Sequence, residues 1–84
     1  MSLKEFESYL LDATEAKAID KILKIGKLRE VVFTMSVDNL ISAINSITSV
    51  RELNVLLSVG LTSRANEAAM FRRKILYETG RGVR

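Results

Sequence analysis

Apolar residues recur along most of this chain at the three- and four-residue spacing of an α-helix, and the pattern is reset at polar capping residues. Leu3, Phe6, Leu10 and Ala13 form the first run, with Ser2 and Glu5 spaced as a capping box ahead of it. Thr14 is placed to cap a second helix whose stripe is Ala18, Ile22, Ile25, Leu28 and Val32. Gly26 lies inside that helix, costs about 1 kcal/mol relative to Ala, and marks an expected kink or break. Ser36 caps a third helix, with Asp38 in its first turn and Val37, Leu40, Ile41, Ile44 and Ile47 on one face. Ser49 and Glu52 form a second capping box before Val50, Leu53, Leu56 and Leu57, and Gly60 suits the C′ position of that helix. Thr62 or Ser63 opens a last helix that runs to about Tyr77 and stops at Thr79-Gly80. Val31 to Thr34 are β-prone, yet they continue a helical stripe with no turn before them, so no strand is predicted.

These elements predict an all-α fold. It is a compact bundle of four to six helices, with residues 37–77 as a C-terminal trihelical, helix-turn-helix-like unit covered by the N-terminal helices. The 84 residues make one helical domain over 1–79, followed by a flexible basic tail over 80–84. A chain of this length buries only about 60–65% of its unfolded surface, and without cysteine it has no disulfide to offset that. Helix packing, or a partner, must hold it.

The chain has neither His nor Cys, which removes the usual zinc ligands and most nucleophile–base pairs. Its glycines stand alone at positions 26, 60, 80 and 82, so no phosphate-cradling loop forms. The acids are spread over polar faces without an opposed pair. No enzyme activity, metal or other cofactor is therefore expected. No apolar run approaches the roughly eighteen residues that span a bilayer, and acids follow Met1 where a signal peptide is apolar. The expected setting is cytoplasmic (intracellular), with no membrane contact.

The net charge of +3 is unevenly placed. Lys17, Lys21, Lys24, Lys27 and Arg29 dominate residues 16–30, and Arg64, Arg72, Arg73, Lys74, Arg81 and Arg84 dominate residues 64–84. Lys17, Lys21 and Lys24 recur at i, i+4 and i+7, with Lys27 extending the row opposite Ile22. Such a ribbon is either a solvated helix face or a track for phosphates, giving sequence-independent, salt-sensitive affinity. Arg64, Arg73 and Lys74 would extend the same footprint. The few aromatic residues argue against a dedicated single-strand or RNA reader.

Residues 50–77 read as a candidate helix-turn-helix, because Gly60 and Leu61 supply the turn and Ala69 a small residue at the crossing. Leu56 stands where a small residue is usual and Asn66 where an apolar one is buried. The stretch Gly60-Leu61-Thr62-Ser63-Arg64-Ala65 resembles the turn region of MarR-type repressors over those six residues, and no β-hairpin wing follows it. An ordinary αα-corner satisfies the same residues. In a reader, Arg64 and Glu67 would face the major groove.

The last helix is apolar on several sides. Ala65, Ala68, Ala69, Ile75 and Leu76 share one side with Arg72 in its middle, Phe71 points elsewhere, and Met70 and Tyr77 form a further patch. Arg72 must then find a carboxylate, Asp38, Glu52 or an acid of a partner, or snorkel outwards. Met70, Phe71, Arg72, Ile75 and Tyr77 are the candidate protein interface, for a larger protein partner or a homodimer. The function these features favour is a non-enzymatic accessory or adaptor subunit that docks on a larger protein in a DNA-handling assembly. A dimeric helix-turn-helix DNA-binding protein is the main alternative, and a self-assembling structural or regulatory protein the third.

Overall fold

The computed structural model describes residues 3–80 and contains five helices: α1 (Leu3–Glu15), α2 (Ala18–Thr34), α3 (Val37–Ser46), α4 (Val50–Leu57) and α5 (Ser63–Thr79). The capping box at Ser2 and the tail beyond Gly80 lie outside the described residues. α3 and α4 both pack on α5, which makes the predicted trihelical unit, while α1 packs between α2 and α4 and closes the bundle. Phe6, Leu28, Ile44, Leu53, Leu56 and Leu76 are fully buried or nearly so, and each helix sends at least one side chain to this single core. The radius of gyration, 11.9 Å, is that of a compact globule of this length.

Polar residues set the boundaries where they were expected to, with two exceptions. The Ser36 and Ser49 hydroxyls accept from the N–H groups of Asn39 and Glu52, at 3.2 and 3.4 Å, and start α3 and α4. Gly80, at φ +69°, closes α5 in the left-handed conformation. Gly60 has the positive φ expected of it, +88°, but the C-cap of α4 is Ser58, so Gly60 sits two residues beyond the cap rather than at C′. Thr14 caps nothing. α1 runs through it, and its buried hydroxyl donates to the Leu10 carbonyl one turn back at 2.8 Å. The chain turns instead at Ala16-Lys17, and Ala18 enters α2 with φ +46°, a conformation that costs a non-glycine residue about 1–2 kcal/mol.

α2 differs from its expected form in two further respects. It is continuous across Gly26, without a break. Its buried side is Leu28, Val31 and Val32, with Ile25 packed against them, whereas Ala18 and Ile22 are exposed. The difference is rotational: Val31 joins the core and turns Ile22 outwards, about 120° round the helix from Leu28.

Candidate docking and nucleic-acid surfaces

α5 divides into two faces. Ala65, Ala69 and Leu76 are buried, and half-buried Arg72 completes their i, i+4, i+7, i+11 row. Arg72 does not pair with Asp38 or Glu52: its Nε–H donates to the carbonyl of Ile47, the C-cap of α3, at 2.8 Å. A helix C-terminus leaves carbonyls without partners and carries partial negative charge, so it serves a cation as well as a carboxylate would. Asp38 instead lies 3.7 Å from Arg64, both well exposed, a contact worth little. On the opposite face of α5, Met70, Phe71 and Tyr77 are exposed and line one shallow surface with Glu67, Lys74 and Glu78. Three of the five expected interface residues thus come together, whereas Arg72 belongs to the row that faces the bundle and Ile75 is half-buried.

The expected nucleic-acid residues are not one continuous row. Lys17, Lys24 and Lys27 are exposed, but Lys21 is half-buried and lines a concavity of about 390 Å³ with Thr14, Arg51, Asn54, Val55 and Ser58. Arg73 lines the Phe71 surface of α5 and donates from Nη1 to the side-chain oxygen of Asn54, at 2.8 Å. Asn54 thus stands between the concavity of Lys21 and Arg51 and the Arg73 guanidinium of α5. Arg51 stands alone in the sequence; only the fold, which sets α2 and α4 on either side of α1, brings Lys21 to the same concavity. Arg64 stays at its contact with Asp38, and Lys74 belongs to the Phe71 face. Among the described residues no group of three or more acids assembles to hold a metal ion.

The α4–α5 corner is braced from α2. The Arg29 Nε–H donates to the Val59 carbonyl at 2.9 Å, fixing the turn that carries Gly60. Arg29 was not legible in the sequence either, because an arginine at the edge of an apolar stripe gives no sign of which carbonyl it will meet. Leu56 is wholly buried in this corner, and the Asn66 amide donates along its own helix to the Met70 sulfur at 3.4 Å. Arg64 and Glu67 stand exposed on the first turns of α5.

Across the other side of α4, the Glu52 carboxyl is held above the usual glutamate range, first by partial burial and second by the nearby charge of Glu7 on α1. A raised native pKa means that ionisation is opposed in the folded state, so the associated stability is full below the ordinary glutamate pKa and is lost as pH rises through the native one. Glu52→Gln keeps the backbone N–H that Ser49 accepts from. It should raise the melting temperature at neutral pH by about 1–2 °C and flatten its decline above about pH 4.5, as followed by circular dichroism. A melting temperature equally pH-dependent in the variant would remove Glu52 as the source.

Comparison with family models, with curated proteins and with solved structures finds no match to this chain, so the functional reading rests on its own geometry.

Proposed function

We propose that this chain is a non-enzymatic accessory or adaptor subunit that docks on a larger protein through the outward face of α5, within a DNA-handling (replication or transcription) assembly. The observation that carries this reading is Phe71, 63% exposed between Met70 and Tyr77 on a helix whose other side is already spent on α3 and α4. Apolar side chains clustered in water on a chain with so little core mark a contact surface. Lys21 and Arg51 sharing one concavity, with Arg73 bonded to the Asn54 that lines it, support a place beside nucleic acid. Used as bait in nuclease-treated extract of the source cell, the chain should retain a defined protein that the Phe71→Ala variant loses. Recovery of DNA alone, or equal retention by the variant, overturns the reading.

The braced corner favours the dimeric helix-turn-helix protein as second reading, since Arg64 and Glu67 are presented together at the start of α5. In both readings the lysines of α2 meet phosphates. Duplex binding should fall steeply with salt, and joint replacement of Lys17, Lys21 and Lys24 by Glu should weaken it by at least about tenfold at fixed salt, measured by fluorescence anisotropy. Unchanged affinity would leave the lysines as a solvated face.

A further inference from the structure

The solvent side of α2 carries a second apolar stripe that the fold does not use. Ile19 is 77% exposed, Ile22 72%, Leu23 65% and Phe33 62%, and all four lie on the side of α2 away from Leu28 and Val31. Ile19, Ile22, Gly26, Arg29 and Phe33 alternate three and four residues apart, the interval at which one helix faces another, with Leu23 flanking them. Gly26 is the midpoint of this stripe, and a Cβ placed there would meet nothing within 4 Å, so a neighbouring backbone can approach without obstruction.

We infer that this stripe is a homodimer seam, in which α2 of two copies cross antiparallel about a two-fold axis at Gly26. The register favours a second copy as occupant. Ile19 and Phe33 are each seven residues, about 10 Å, from Gly26, so the two-fold sets Ile19 of one copy against Phe33 of the other. The same operation places Ile22 beside the stem of Arg29, whose Nε–H is already held by the Val59 carbonyl, and Leu23 beside the stem of Glu30, whose carboxylate stays at the rim of the seam. Parallel pairing would instead set Arg29 against Arg29 and Glu30 against Glu30. The area reaches the threshold: four such side chains expose on the order of 500 Å² per copy, so that full pairing of the stripe removes up to about 1,000 Å² from water, where specific interfaces begin. An acidic helix or an anionic membrane is a poorer occupant. Arg29, the cation within the stripe, is held by the Val59 carbonyl and offset by Glu30 beside it, and Lys21 and Lys24 lie about 140° or more round the helix from Gly26.

The seam is separate from the Phe71 face, and the test keeps them apart. Sedimentation of the full chain at high micromolar concentration should show a dimer, twice the 9.4 kDa of one chain. The Ile22→Glu, Leu23→Glu double variant should weaken the dimer at least tenfold with its helical signal and melting temperature kept. Gly26→Leu should do the same through steric exclusion, in a helix whose propensity it improves. Phe71→Ala should leave the dimer intact. The chain lacks cysteine, so an oxidised mixture of Ile19→Cys and Phe33→Cys chains should give a covalent dimer, and Ile19→Cys alone should not. A monomeric wild-type chain, a dimer indifferent to both α2 variants, a dimer lost with Phe71→Ala, or cross-linking of Ile19→Cys alone overturns the proposal.

Discussion

Replacing Arg72 with Ala should lower the melting temperature by about 10 °C while leaving partner binding through the Phe71 face unchanged. The expectation follows from where the guanidinium sits. Ala65, Ala69 and Leu76 press α5 against α3 and α4, and Arg72 interrupts that row at half burial. Its Nε–H donates to the Ile47 carbonyl at 2.8 Å, so the cation is matched to the partial negative charge where α3 ends. A hydrogen bond from a charged donor contributes about 1.5–3 kcal/mol, and in a domain of this size each kcal/mol moves the melting temperature by about 4–8 °C. The substitution also strips the aliphatic stem from its neighbours. Arg72→Met, which keeps a stem of similar reach without the donor, should lose most of the same stability and so separate hydrogen bond from packing. Thermal unfolding followed by circular dichroism checks both. A melting temperature unchanged in Arg72→Ala would show that the guanidinium is not structural and would return it to the interface, where its sequence position first suggests it belongs.

Where the fold departs from its local pattern, the deciding partner lies in another element. Ser36 and Ser49 are legible as caps, since each is followed by a first turn with an acid and then an apolar run. Thr14 has the same chemistry, but a threonine hydroxyl is equally satisfied by the carbonyl one turn behind it, and nothing local decides between the two. α2 carries two apolar stripes, Ile19-Ile22-Leu23-Phe33 and Ile25-Leu28-Val31-Val32. Periodicity reports that both exist, whereas which one faces α1 is chosen by the bundle. The partners of Arg29 and Arg72 are backbone carbonyls at Val59 and Ile47. Every residue carries a carbonyl, so composition cannot single these out, and they become acceptors only where a helix ends. On α5 the exposed set Met70, Phe71 and Tyr77 was readable because no rotation of one helix buries all of its apolar sides. The pairing of Lys21 with Arg51 in one concavity, and of Arg73 with Asn54, was not, because those residues are distant in sequence and meet only through packing.

Phe71→Ala should behave in the opposite way to Arg72→Ala: the isolated chain keeps its melting temperature within about 2 °C, and affinity for the docking partner falls at least tenfold. A phenyl ring 63% exposed gives little to the fold, because most of its surface is hydrated before and after folding. Removing it therefore costs the monomer little, and trimming an exposed aromatic from a helix to the strongest helix former partly offsets the loss. Against a partner the same ring is the largest apolar anchor on the outward face of α5, flanked by Met70 and Tyr77, with Glu67, Lys74 and Glu78 around it to orient a polar rim. Buried aromatic anchors of this kind lose about 2 kcal/mol or more on truncation, and about 1.4 kcal/mol is already tenfold in affinity. Titration calorimetry with the captured partner, alongside thermal unfolding of the free chain, reads both quantities on one preparation. A large fall in melting temperature with affinity intact would make Phe71 part of the fold's own support and remove α5 as the docking face. The paired variants Arg72→Ala and Phe71→Ala, adjacent in sequence and opposite in expected effect, thus separate what α5 does for the bundle from what it offers to another protein.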